Sequence, residues 1–222
     1  MYGFPLAPDA QIVPFSVFNN RYAGGSCHVV GRGKTDFDYN LLADVEEPIF
    51  FINDAISLET RAEKAETFFF AHDAQLLAWL DGSIRSTAVL PLTGKMFPHG
   101  SNTVIQHAGP LVYYRWRKTD KESLLQMTRD QIMAAAELYN HSGTIHSLLH
   151  FAWYCGFSRL TFIGCDGADH TELQTDRNLY DPRLENRSGS VPAPWNYAKI
   201  RSAQDLLATL FGFETIYLGT PR

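Results

Sequence analysis

The chain has 222 residues, of which 45% are hydrophobic and 19% charged, and its formal net charge at pH 7 is −5. This length and composition predict a single domain over residues 1–222 and exclude a disordered chain or a coiled coil. The acidic balance argues against a dedicated nucleic-acid binder, and no apolar run reaches the roughly 18 residues of a membrane span.

Short apolar runs recur along the chain, and each ends in a polar or glycine-rich corner. They lie at 26–30, 48–52, 67–71, 86–90, 160–163 and 213–218. Apolar runs of this length without alternation are typical of strands that are buried on both faces of a parallel sheet. Helical patterns lie between them, at 57–66, 74–80, 121–139, 142–155 and 195–210. The alternation predicts an α/β fold with a doubly wound, mostly parallel sheet.

In such a sheet the ligand binds beyond the carboxyl ends of the strands. The polar corners that follow the predicted strands therefore fall on one edge. They contain Gly31, Gly33, Asn53, Asp54, Asp73 and Asp166.

Two segments interrupt the alternation. Residues 93–117 are predicted to form an insertion, either a β-hairpin or an irregular loop, around an apolar run at 111–116. Residues 167–194 are polar and lack a clear period, and a loop of this length in a compact domain is typical of a lid. Its Tyr180, Arg183 and Arg187 are suited to gripping a ligand.

The turn after the first strand, Gly31-Arg32-Gly33-Lys34-Thr35, allows backbone N–H groups to approach a phosphate. It lacks the third glycine of the dinucleotide fingerprint and the spacing of a P-loop, so a tight turn without a ligand remains an alternative.

A second anion site is predicted at Ser142-Gly143-Thr144, which opens the helix before the fifth predicted strand. Simple helix capping by Ser142 or Thr144 is the alternative.

His146 and His150 lie four residues apart on one face of that helix, a spacing that metal sites use. No Glu forms an H-E-x-x-H arrangement with them. We therefore interpret them as a packed, hydrogen-bonded pair, and we expect no metal site.

The order of these motifs resembles the family 42 bacterial sialyltransferases. That family opens with a strand, a G-x-G-P-S turn, an Asp-Tyr-x-x-Leu segment and a strand that ends in Asn; the matching stretches here are 29–35, 38–42 and 49–53. A further stretch begins at Ser142-Gly143 and ends in CGFSRLTFIGCD at 155–166. It is similar to a pattern that those enzymes share with the MptE-like family (domain of unknown function 115), which includes 6-hydroxymethylpterin diphosphokinases.

The resemblance implies a Rossmann-like fold of the single-domain nucleotide-sugar transferase type. It also implies a CMP-linked acidic sugar as donor and no required metal or cofactor. Gly31, Gly33 and Thr35 would line the phosphate and ribose, Asn53 would reach the nucleotide, and Asp166 would form the floor of the site. Ser142, Gly143 and Thr144 would cradle the nucleotide, and Arg32, Lys34, Asp54 and Asp73 complete the predicted binding set.

The chain departs from the family at two points. Lys34-Thr35 stands where the family has Pro-Ser, and the late lid histidine that serves as the family's general base is missing. The one histidine after Asp166 is His170, and its residue type suits proton removal near neutral pH. We therefore expect His170 to be the general base, with Asp169 and Glu172 as alternatives for that role and a solvated loop residue as the alternative interpretation of His170. Asp166 is the other residue that we predict to be catalytic.

Three functions follow as hypotheses. The first is a metal-independent glycosyltransferase that moves a sugar from a nucleotide-activated donor to a glycan or other hydroxyl acceptor. The second is a magnesium-dependent pyrophosphokinase of the MptE-like type, with carboxylates at the strand ends as ligands. The third is a non-catalytic nucleotide- or sugar-binding domain.

The remaining expectations concern partners and location. Nucleic acid is an unexpected partner, no transmembrane segment is predicted, and the resemblance is compatible with a homo-oligomer. Three cysteines without a C-x-x-C pair are interpreted as reduced thiols, and the N-terminus lacks a signal-peptide pattern. The predicted location is therefore the cytoplasm, including a peripheral position at the inner face of the membrane.

Overall fold

The fold is built on an eight-stranded sheet in which every pairing is parallel, as a computed structural model of the chain shows. The structure describes residues 10–31, 33, 35–72, 84–91, 107–118, 123, 126–140, 143–165 and 194–219. The strands are β1 (Ser26–Val30), β2 (Ile49–Ile52), β3 (Thr67–Phe70), β4 (Thr87–Pro91), β5 (Leu111–Lys118), β6 (Glu137–Asn140), β7 (Arg159–Ile163) and β8 (Glu214–Leu218). Their order across the sheet is β6-β5-β4-β3-β2-β1-β7-β8.

Helices connect the strands and cover both faces. The described α-helices are α1 (Arg129–Ala135), α2 (Thr144–Cys155) and α3 (Pro194–Leu210), and 3-10 helices span Phe15–Phe18, Tyr39–Asp44 and Asn53–Arg61. α1 opens with a capping box between Thr128 and Gln131. Among the described helices, none combines the length and the apolar character that crossing a bilayer requires.

Alternating side chains of the strands build two cores, one on each face of the sheet. On β3, Phe68 and Phe70 face the core beneath α2, α3 and the 3-10 helix Phe15–Phe18, whereas Phe69 faces the core beneath the 3-10 helices Tyr39–Asp44 and Asn53–Arg61. All three phenylalanines are fully buried. A sheet that is buried on both faces explains why its strands read as continuous apolar runs rather than as alternating patterns.

The predicted fold class is confirmed: the chain has a Rossmann-like α/β arrangement with a parallel sheet. The six strands predicted from the sequence are present, each with its ends within one residue of the prediction. The predicted helix at 57–66 is instead the 3-10 helix Asn53–Arg61. The predicted helix at 74–80 and almost all of the predicted lid at 167–194 lie outside the described residues.

Two predictions for the middle of the chain are wrong. Residues 111–117, predicted as part of an insertion, belong to β5 of the main sheet, because Leu111, Val112 and Tyr114 are fully buried in its two cores. The helix predicted at 121–139 does not run to its predicted end: within the described residues it is helical at Ser123 and over α1, and Ala136 then adopts a left-handed backbone with φ of 46° directly before β6. Of the rest of the predicted insertion, residues 93–106 lie outside the described residues and residues 107–110 lead into β5.

The strand order reverses between β1 and β7. From β1 the chain builds the sheet outward through β2 to β6, and then returns to the other side of β1 for β7 and β8. The loops that leave the carboxyl ends of β1 and β7 therefore diverge to opposite sides. Such a reversal opens a crevice at the carboxyl edge, where ligands bind in folds of this type.

Candidate functional site

The glycine turn after β1 lies against the end of β7. The Gly31 N–H donates to the carbonyl of Ile163, and the Gly33 N–H donates to the carbonyl of Gly164, both at 2.8 Å. A Cβ atom at Gly31 would lie 2.6 Å from both the Cys165 Sγ and the Gly164 oxygen. The glycines therefore allow two backbones to approach, and both N–H groups already have carbonyl acceptors. The prediction that these two N–H groups bind a phosphate is therefore corrected: they hold the turn against the end of β7.

Thr35, a predicted ligand residue, is also packed into the protein. Its side chain is 7% exposed, and its Oγ1 accepts a hydrogen bond from the Phe37 N–H. Gly219, at the end of β8, approaches so closely that a Cβ there would lie 1.9 Å from that oxygen. Thr35 is thus packed between the turn after β1 and the residue that follows β8.

Asn53 follows β2 at the carboxyl edge in an unusual backbone conformation. Its φ is 51°, in the left-handed region, which costs a residue with a side chain of order 1 kcal/mol. The residue is half-buried, and no hydrogen bond to its side chain is present in the described part of the chain. Asp54 stands beside it at the same edge. The turn holds the Asn53 amide at the edge, available to a ligand.

The N-terminus of α2 starts at the same edge, because α2 begins soon after the end of β6. Gly143 is the N-cap residue, and the helix has neither a side-chain cap nor an acidic residue in its first turn. Thr144 lies within the helix and does not cap it, whereas Ser142, the other residue of the capping alternative, lies outside the described residues. An uncapped helix start carries a partial positive charge and amide donors that suit an anion.

His72 stands two residues beyond the end of β3, at the carboxyl edge. Its Nε2 lies 3.2 Å from the Ser147 Oγ on α2, and the Ser147 hydroxyl donates to the Tyr139 carbonyl at 2.8 Å. Burial, followed by the electrostatic effect of His146, lowers the pKa of His72 to about 4. The ring is therefore uncharged at neutral pH.

Sequence reasoning selected Asp73 from this corner and passed over His72. The sequence signal that could have identified His72 is its position, because His72 directly follows an apolar run, as Asn53 does. Asp73 itself lies outside the described residues.

The interpretation of His146 and His150 as a packed, hydrogen-bonded pair is confirmed. Both are fully buried; the His146 Nε2 lies 3.1 Å from the Ile200 carbonyl of α3, and the His150 Nδ1 accepts from the Tyr139 N–H at 2.8 Å. Burial lowers the pKa of His150 to about 3. The described residues contain no group of three or more His, Cys, Asp or Glu side chains arranged to hold a metal ion.

The described part of the predicted site thus lies on one edge of the sheet, at Gly31, Gly33, Thr35, Asn53, Asp54, Gly143 and Thr144. The other predicted site residues lie outside the described part: Arg32, Lys34, Asp73, Ser142, Asp166, His170, Tyr180, Arg183 and Arg187. The edge as described offers backbone donors, one amide side chain and one neutral histidine. These groups suit a polar, anionic ligand.

Comparison of the chain with models of known protein families, with curated protein sequences and with solved structures finds no match.

Proposed function

We propose that this chain is a glycosyltransferase that transfers a sugar from a nucleotide-activated donor to a hydroxyl acceptor. The observation that carries the proposal is the reversal of the parallel sheet between β1 and β7, with an uncapped helix start at the same edge. The sequence resemblance to the family 42 sialyltransferases supports a CMP-linked acidic sugar as the donor.

The N-terminus of α2 is the proposed binding site for the donor phosphate. Its amide donors and partial positive charge would stabilise the negative charge that grows on the phosphate as the sugar leaves. The Asn53 amide would hold the nucleotide from the β2 side. Arg32, Lys34, Arg183 and Arg187 are the cationic residues that the sequence offers to an anionic donor.

A thermal-shift panel tests the proposal, with CMP, CDP, UDP, GDP and ATP each measured with and without Mg²⁺. We expect CMP to raise the Tm without Mg²⁺, by about 5–10 °C at a concentration about 100 times its Kd. Addition of EDTA should leave this shift unchanged.

The other outcomes separate the competing functions. Stabilisation by ATP that requires Mg²⁺ would favour the pyrophosphokinase instead. If no nucleotide changes the Tm, both enzymatic proposals are wrong. If CMP binds but release of CMP from a CMP-linked acidic sugar is never detected with hydroxyl acceptors, the chain is a non-catalytic binding domain.

A further inference from the structure

The two edge strands of the sheet, β6 and β8, differ in how their outward backbone groups are bonded. At β6, side chains of α2 bond both groups of Tyr139: the N–H donates to the His150 Nδ1, and the carbonyl accepts from the Ser147 hydroxyl. An edge whose polar groups are bonded in this way is protected against pairing with another chain. β8 shows no such protection in the described part of the chain.

The backbone of β8 presents two residues outward. The Glu214 N–H donates to the Ser158 carbonyl at 2.9 Å and therefore points toward β7. Because the direction of the polar groups alternates along a strand, those of Ile216 also point toward β7, whereas those of Thr215 and Tyr217 point away from the sheet. Within the residues that the structure describes, no hydrogen bond reaches the N–H or the carbonyl of Thr215 or Tyr217.

The side chains of β8 leave an apolar residue exposed at its centre. Tyr217 packs on the α3 face, where its hydroxyl donates to Asp205 at 2.8 Å and accepts from Gln204 at 3.1 Å. Ile216 therefore points to the opposite face, and it is 38% exposed. Natural edge strands are commonly protected by Lys, Pro or a bulge, but β8 contains neither residue and keeps an unbroken register with β7.

We propose that the chain forms a two-fold symmetric homodimer through antiparallel pairing of β8 with β8 of a second copy. With Ile216 on the axis, Thr215 of each copy lies opposite the partner's Tyr217, and each such pair exchanges two N–H to carbonyl hydrogen bonds. This register satisfies the outward polar groups of both strands. It also places Ile216 against the partner's Ile216, with their Cα atoms about 4.5 Å apart, so the exposed side chain is covered by its own copy.

A second copy fits this edge because the strand is complementary to itself. Thr215 and Tyr217 lie symmetrically about Ile216, so one two-fold axis serves both. No like charges face each other in this register, since Glu214, which is already paired with Arg159 at 2.9 Å, lies opposite the partner's residue 218. Antiparallel pairing also directs the carboxyl edges of the two sheets in opposite directions. The inference is therefore independent of the proposed function.

Analytical ultracentrifugation gives the first test. The unmodified chain should sediment as a dimer at micromolar concentration, and Ile216→Lys, which brings two ammonium groups together on the axis, should raise the dimer Kd at least about 100-fold. Leu41→Lys is the matched control, because Leu41 is another exposed apolar residue, at 55%, on the 3-10 helix Tyr39–Asp44. It should dimerise like the unmodified chain. A monomeric unmodified chain, or a dimer that Ile216→Lys leaves intact, would overturn the inference.

A charge-swap experiment tests the register. Ile216→Lys and Ile216→Glu should each be monomeric alone, whereas their equimolar mixture should form a heterodimer, because residue 216 meets its own counterpart on the axis and opposite charges then attract. A mixture that stays monomeric would show that residue 216 does not face itself, and the proposed pairing would be wrong.

Hydrogen exchange identifies the surface used. The Thr215 and Tyr217 amides should exchange slowly in the dimer and rapidly in Ile216→Lys, while the Ile216-position amide, which is bonded to β7, stays protected in both and shows that the variant is folded. A dimer whose Thr215 and Tyr217 amides exchange rapidly uses another surface. Slow exchange of these amides in monomeric Ile216→Lys would mean that the edge is covered by its own chain. Either result would contradict the inference.

Discussion

His72 and His150 are both linked to Tyr139, one through Ser147 and the other directly, and their surroundings differ. His150 is fully buried, and its Nδ1 accepts from the Tyr139 N–H, so the ring is part of the core packing. His72 reaches the same residue only through Ser147, and the residue is half-buried. Burial lowers the pKa of both rings, and of the two only His72 lies beyond a strand at the carboxyl edge of the sheet.

The depressed pKa of His150 predicts a loss of stability in mild acid. In the folded protein the ring stays neutral down to about pH 3, whereas in the unfolded chain it binds a proton below about pH 6.5. Its contribution is therefore complete above pH 6.5 and is lost as the pH falls. From pH 7 to pH 5 the free energy of unfolding should decrease by about 2 kcal/mol on account of this residue.

His150→Asn tests this prediction, because the Asn Oδ1 can still accept from the Tyr139 N–H but does not titrate. Urea unfolding at pH 7 and pH 5 should give a smaller difference in the variant, by about 2 kcal/mol. An equal pH dependence in the variant and the unmodified chain would mean that His150 is protonated in the folded state or that other groups account for the slope.

Part of the site could be predicted residue by residue. Asn53 was identified because a polar residue follows an apolar run, and its left-handed backbone makes it distinctive. The glycines of the turn were also identified, but their role was not. Whether a glycine approaches a phosphate or another backbone depends on the neighbouring strand, and the close approach of Cys165 to Gly31 joins residues far apart in the sequence.

At the scale of elements, β6 was the hardest to predict. The apolar positions around it fit a helical period, and the chain is indeed helical until Ala136 turns it. The strand conformation is imposed by pairing with β5, in which Trp116 aligns with Leu138. The Tyr139 N–H and carbonyl are then bonded by His150 and Ser147 of α2, which protects an edge strand in a way that no local pattern encodes.

A carboxylate joins the 3-10 helix Asn53–Arg61 to the start of β4. The Glu59 side chain accepts hydrogen bonds from the Arg85 N–H, the Ser86 N–H and the Ser86 hydroxyl. Glu59→Ala would leave the Arg85 and Ser86 N–H groups without this acceptor, while the Ser86 hydroxyl would keep the Thr67 Oγ1 at 2.8 Å. We expect the free energy of unfolding to fall by about 2–3 kcal/mol, as measured in urea.

Glu63→Ala is the matched control for this link, because Glu63 is an exposed carboxylate four residues along the chain. It should change stability by no more than about 0.5 kcal/mol. Equal losses in the two variants would show that net charge, rather than the bonds to Arg85 and Ser86, determines the effect.

At the scale of the whole molecule, the sequence predicted the parallel sheet but not the full strand order. Buried apolar runs that alternate with helices indicate a doubly wound sheet, and each of the six predicted runs is a strand. The position of the reversal between β1 and β7 follows from long-range pairing. It matters for function because the net charge of −5 repels an anionic donor, which must then find local positive groups such as the start of α2.

The central claim is that a nucleotide binds at the carboxyl edge of this sheet. The most direct measurement is a titration of the nitrogen-15-labelled chain with CMP, followed by backbone amide chemical shifts. The account predicts saturable shifts at Asn53, His72 and Thr144 on the carboxyl edge, with Arg85 and Ser86 on the amino edge unchanged. Shifts confined to the amino edge, or no saturable shift at any CMP concentration, would contradict it.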